Sequence, residues 1–244
     1  MFDIRYSTGF TLVELLVVIA IIALLLSILM PALGKARSLS KRLVCANNLR
    51  QIDLAVRLYL DSNNDIYPCG QDPVSDDPNN PYWLWMGRGW RRLVEPYLGG
   101  NIDANNPSVL FCPEDTSPQE KYESTSYSYS MAFYHSQEQI DGIKDTRYTY
   151  DIPGQPSMAA ESIPQISTNV ARPAGKIIIG EWLSNHWRIK EKDNGWWDWE
   201  GCCNYLFVDG QVCFLKATDI REANDEKPNP NLTVGGIKGI DWPP

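Results

Sequence analysis

Between Leu15 and Leu33 no residue is charged, and the run is almost wholly Leu, Ile, Val and Ala, with Ser27 its one hydroxyl side chain. A helix needs about 20 mostly apolar residues to cross a bilayer, so this stretch predicts a membrane-length helix. Past it the pattern changes from continuous to periodic. Leu39, Leu43, Ala46, Leu49, Ile52, Val56 and Tyr59 follow one another at steps of three or four, the spacing of one apolar helical face. Pro31 interrupts neither pattern, but it removes a hydrogen bond to the Ser27 carbonyl and predicts a bend. Residues 10–60 therefore read as one bent helix about 75 Å long at the standard rise. Its first half, residues 10–33, is apolar all round and belongs in lipid or among other helices. Its second half, residues 34–62, has one stripe to dock on a head formed by residues 63–244.

After Asp61 the letters turn to Asp, Asn, Pro and Gly in "DSNNDIYPCGQDPVSDDPNNP", the composition of turns and irregular chain. Short β-like runs follow at 108–112, 127–133, 176–182, 205–208 and 212–215. The last two flank Asp209-Gly210, a two-residue hairpin signal. Strands grouped after one long helix predict an α+β fold, with the helix packed on a mainly antiparallel β-sheet head.

Charge is unevenly spread. Residues 34–62 carry Lys35, Arg37, Lys41, Arg42, Arg50 and Arg57 against Asp53 and Asp61, whereas residues 63–244 hold a net −11. So acidic a body lacks the basic footprint of a nucleic-acid binder, and no nucleic-acid partner is expected. Six cysteines, Cys45, Cys69, Cys112, Cys202, Cys203 and Cys213, permit up to three disulfides if the head is exported. Cys202 and Cys203 are adjacent and poorly placed to bond each other; Cys69 with Cys112, and one of the adjacent pair with Cys213, are the pairings expected. No C-x-x-C occurs and the only histidines are His135 and His186, which argues against a zinc site. Asp61, Asn63 and Asp65 alternate like the first ligands of a calcium loop. Ile66 and Asp72 stand where that template needs glycine and glutamate, so a solvated loop is the default and calcium the alternative. No other cofactor is expected. Asp209 reads as a turn residue, with a cation ligand as its alternative role.

The start of the chain is not a secretory signal peptide, because no small-residue cleavage site follows the apolar run. The one plausible cut precedes it, at Gly9–Phe10. There "GFTLVELLVVIAIIALLLSILMPAL" resembles the N-terminus of type IV pilins and type II secretion pseudopilins. The resemblance implies that prepilin peptidase removes residues 1–9 and that Phe10 is methylated on its new amine. It further implies a single-pass precursor in the bacterial inner membrane, an exported head, and assembly with identical or related subunits into a surface or periplasmic filament. The basic cluster Lys35, Arg37, Lys41 and Arg42 follows the span, where the positive-inside rule would favour the cytoplasm; the resemblance implies the opposite. Glu14 has two readings. With Thr11 it matches a capping box, and it suits the positive end of the helix dipole. In a filament it would instead neutralise the Phe10 amine of a neighbour, since a carboxylate in hydrocarbon is costly unless paired.

The head carries a second resemblance. "CANNLRQIDLAVRLYLDSNNDIYP", "LFCPED" and "NYLFVDGQV" are similar to segments of pilin-like proteins of planctomycete-type bacteria that share a histidine ten residues before an Asp-Gly pair. Here that position is Trp199, and Gln211 stands where the pattern often has a second histidine, so the motif is degenerate. "NGWWDWEGCCNYLF" sets Trp196, Trp197 and Trp199 beside Asp198 and Glu200. Such an aromatic platform edged by carboxylates suits an adhesin or polysaccharide-capturing module, against the plainer role of core or interface packing. A third class, a tethered hydrolase using carboxylates such as Glu181, Asp198 and Glu200, lacks a fixed carboxylate separation, a nucleophile–base signature and a phosphate loop. Isolated acidic residues are normally solvated surface, and the chain reads as a structural subunit with no enzymatic activity.

Overall fold

The computed structural model describes residues 11–69, 90–99, 109–116, 125–142, 162–187 and 200–242. The chain divides into two compact units, Met1–Ser40 and Lys41–Pro244.

One helix, α1, runs Leu12–Ser62 through Pro31 without a break. It is long and apolar enough to cross a membrane, and every residue from Thr11 to Ser40 is exposed. The docked stripe begins later than the periodicity predicts. Leu39 and Leu43 are 48% and 54% exposed, and the buried residues of α1 are Cys45, Ala46, Asn48, Leu49, Ile52, Ala55 and Val56. Packing, not periodicity, decides which apolar positions are covered: only from Cys45 onward does the head supply side chains to cover them. The helix ends where Asn64 and Asp65 enter positive φ, and the Asp65 N–H donates back to the Leu60 carbonyl at 3.0 Å.

Two short helices, α2 (Trp90–Val94) and α3 (Gln137–Gly142), accompany four strands, β1 (Tyr127–Tyr129), β2 (Ile177–Glu181), β3 (Cys202–Phe207) and β4 (Val212–Lys216). The strands form one antiparallel sheet in the order β1-β2-β3-β4, the α+β arrangement expected. β1 aligns Tyr127 with Glu181, and β3 aligns Cys202 with Lys216 through to Leu206 with Val212. Gly210 closes the β3–β4 hairpin at φ +94°, where a Cβ would lie 2.9 Å from Asp53 Oδ2. Arg57 of α1 donates to the Val208 carbonyl beside it at 3.0 Å, so the hairpin tip is fixed on the helix. Leu206 joins Leu49, Ile52 and Val56 in the main core. Cys203, Tyr205 and Phe207, of opposite parity on β3, build a second cluster with Ile177 and Ile220, as the alternation of a strand requires.

One predicted strand is absent among the described residues, and the run predicted over 127–133 keeps only its first part, β1. Residues 109–112 are turn and irregular chain: Cys112 N donates to the Ser126 hydroxyl at 2.9 Å and the Thr125 hydroxyl to the Leu110 carbonyl at 3.2 Å, beside one backbone bond from Ser126 N to the Leu110 carbonyl at 2.9 Å, so side-chain bonds stand where a ladder was predicted. Met131–Phe133 is a 3-10 turn whose preceding residue, Ser130, accepts from Ala132 N and donates to the Pro230 carbonyl at 2.6 Å. The segment that follows β4 returns to the sheet through Asp241. Its carboxylate accepts from Ile177 N at 2.8 Å and pairs with the fully buried Lys176 at 3.1 Å.

Candidate functional site

Gly9 and Phe10 lie outside the described residues, as do Trp196, Trp197, Asp198 and Trp199. Immediately after Phe10 the chain forms the capping box its letters predict. Thr11 donates to Glu14 Oε2 from both its backbone N (2.9 Å) and its hydroxyl (2.7 Å), and Glu14 N returns a bond to Thr11 Oγ1 at 3.3 Å. The carboxylate is thereby held against the first turn, at the positive end of the helix dipole. Pro31 is exposed near the end of the apolar half.

The residues singled out for calcium serve to end α1. Asp61 is exposed on its last turn, Asn63 donates its amide to the Tyr59 carbonyl at 2.7 Å, and Asp65 accepts at its carbonyl from Ser167 N at 2.8 Å. Asp209 accepts from Gln211 N at 3.0 Å within the hairpin, the turn role expected.

The cysteines pair otherwise than expected. Cys45 of α1 is bonded to Cys112, closing 67 residues, whereas Cys69, Cys202, Cys203 and Cys213 form no disulfide. Cys69 with Cys112 is therefore excluded. Cys213 faces Tyr205 across the ladder, with Cys203 opposite Leu215, so neither adjacent cysteine meets it. Asn48, one turn from Cys45, explains the true pairing: its amide holds the Phe111 carbonyl at 3.0 Å and lays the Cys112 loop along the helix.

Glu181, expected to be solvated, is fully buried at the end of β2. Asn204 donates to it twice, from its backbone N to Oε2 at 2.8 Å and from Nδ2 to Oε1 at 3.0 Å. The turn after β2 brings His186 back so that Nε2 stands 3.1 Å from Glu181 Oε1 and 3.2 Å from Cys112 Sγ. Cys45, Cys112, Glu181 and His186 thus offer four ligand atoms all within 4.8 Å of one another; Asp61, Asp65 and Asp209 are not in this group. Its members are far apart in sequence and share no motif spacing, so no local pattern of ligands marks them. The one signal available was that both "LFCPED" and "EWLSNH" place a ligand-type residue beside a β-like run.

Residues 4–30 match the family described as the prokaryotic N-terminal methylation motif. The match supports a type IV pilin-like protein and implies processing by prepilin peptidase. No curated protein and no solved structure matches the chain.

Proposed function

We propose that the chain is a structural subunit of a type IV pilus-like or type II secretion pseudopilus-like filament, cut at Gly9–Phe10 and assembled through the apolar half of α1. The observation that carries this reading is the continuity of the methylation motif over residues 4–30 with a helix exposed from Thr11 to Ser40. So much apolar surface is unstable in water and needs lipid or other helices around it. The precursor would sit in the inner membrane by this helix, with the head exported, and would exchange lipid for neighbouring subunits on assembly.

Glu14 has a part in both states. In the single chain it caps the helix. Removal of residues 1–9 leaves a charged amine at Phe10, and in a bundle of such helices that amine becomes the counter-ion a carboxylate in an apolar core requires.

Intact mass of the membrane-derived protein tests the processing step. Loss of residues 1–9 with the gain of one methyl group is expected; a chain still beginning at Met1 overturns the reading. Glu14→Gln tests assembly separately, because glutamine still completes a capping box but carries no charge. Membrane insertion and cleavage should persist while filament yield collapses, and filaments formed at the normal level would refute the ion pair.

A further inference from the structure

The buried group formed by Cys45, Cys112, Glu181 and His186 has the composition of a metal site. The ligand atoms of a tetrahedral zinc ion lie about 3.3–3.8 Å apart, given zinc–ligand bonds of about 2.0–2.3 Å. The two contacts here, 3.2 Å and 3.1 Å, are close to such edges. Both fall on one ring nitrogen. An acid–base relay divides its partners between the two imidazole nitrogens, but here Nε2 faces the sulfur and the carboxylate together. Nδ1 is buried without a partner among the described residues. A sulfur, a nitrogen and a carboxylate oxygen thus lie as close together as ligands of one ion do, and the Cys45 sulfur joins them within 4.8 Å.

The surroundings agree. Glu181 is fully buried, and among the described residues its one ion-pair partner is His186. A buried carboxylate needs a counter-ion, and a divalent ion held between Glu181 and His186 would be one. Asn204 already orients it with two N–H donors, as residues behind a ligand do in metal sites. Two sulfurs, an imidazole and a single carboxylate form a set that suits zinc and not the all-oxygen shells of calcium or magnesium.

We propose that, when reduced, this cluster binds one zinc ion through Cys45 Sγ, Cys112 Sγ, His186 Nε2 and Glu181 Oε1, and that the Cys45–Cys112 disulfide is the alternative, metal-free state of the same crosslink. A phosphine reductant converts one state into the other. The phosphine takes the oxygen of one water and becomes a phosphine oxide; its electron pair cleaves the S–S bond, and the two water protons go to the sulfurs. Zinc binding then releases both thiol protons to solvent. Either state ties α1 to the Cys112 loop, and the metal state adds β2 and the turn after it. The inference is independent of the filament role.

The test uses the full chain in detergent micelles, as the disulfide form and after phosphine reduction and removal of the phosphine under argon. Cobalt(II) is the probe, followed by zinc. The reduced protein should take up one cobalt per chain, with the visible bands of a tetrahedral site and a thiolate charge-transfer band, and zinc should displace it. The disulfide form should show neither band. Cys69→Ser with Cys213→Ser should change nothing, whereas Cys112→Ser should abolish the charge-transfer band of the two-sulfur site. Asn204→Ala should weaken zinc affinity by about 10–100-fold, the usual effect of losing a residue that orients a ligand. Absence of stoichiometric cobalt in the reduced protein, equal uptake by the disulfide form, or an unchanged spectrum in Cys112→Ser would each overturn the proposal. Should Cys112→Ser not fold, zinc-edge X-ray absorption of the reduced wild-type chain decides: two sulfur and two nitrogen or oxygen neighbours are expected, and any other sulfur count refutes the site.

Discussion

Asn48 places an amide among the buried apolar residues of α1. It is 9% exposed and holds the Phe111 carbonyl, because a buried backbone acceptor outside regular structure needs a donor from somewhere. Cys45, Glu181 and His186 were illegible for the same reason: their roles depend on partners far along the chain, which local spacing does not encode. Thr11 and Glu14, whose partners are each other, were legible. Buried tyrosines have a consequence that can be measured. Burial raises the phenol pKa of Tyr67, Tyr129 and Tyr205 above the ordinary value of 10.0. Above that value the unfolded chain loses these protons while the folded chain keeps them, so stability present below the unfolded pKa is lost as pH rises towards the folded values. Burial lowers the pKa of Lys176 from 10.5, opposed by Asp241, and this acts in the opposite sense to the tyrosines. In an alkaline titration, tyrosinate absorbance should therefore rise in two stages, the second coinciding with loss of near-UV circular dichroism. A single stage with the fold retained would contradict this account.

α1 has two environments, and the head sets the border between them. The sequence carried the helix, the hairpin about Asp209-Gly210 and the cores of β2, β3 and β4, because each has a local signal: period, turn residues or β-branched runs. It did not carry the 3-10 turn at Met131–Phe133 or the irregular chain at 109–112, where hydroxyls of Ser130, Ser126 and Thr125 bond across long separations and override β-propensity. The border on α1 makes a paired prediction. Leu49 is fully buried and Leu43 is 54% exposed, although both lie on the periodic stripe. Leu49→Ala should cost about 2–5 kcal/mol, the range for deleting a buried leucine, whereas Leu43→Ala should stay within about 0.5 kcal/mol, as exposed substitutions do. Urea unfolding in detergent measures both, and equal effects would mean that the docked stripe begins earlier than Cys45.

At the scale of the molecule, the charges that troubled the orientation are partly accounted for by the head itself. Lys41 pairs with Glu114 at 3.0 Å, and Arg42 lies 4.4 Å over the Phe214 ring. Two of the four cations after the span are thus engaged within the second unit, which weakens their pull towards a cytoplasmic placement. The Cys45–Cys112 bond closes a loop of 67 residues, and loop-closure entropy for that length gives about 4 kcal/mol. Phosphine reduction in the presence of a chelator should lower unfolding stability by up to about that amount, read from the urea midpoint; an unmoved midpoint would contradict it. Cys45 is also the first buried residue of α1. Tension delivered along the helix from its N-terminal side passes the surface contacts of Lys41 and Arg42 and meets the packed face at that residue, where peeling of the core contacts would begin. With a covalent bond at the leading edge, the helix cannot be unzipped one contact at a time. The packed side chains behind it must be sheared together, and a pulled subunit should yield in a single high-force event that reduction splits into smaller steps.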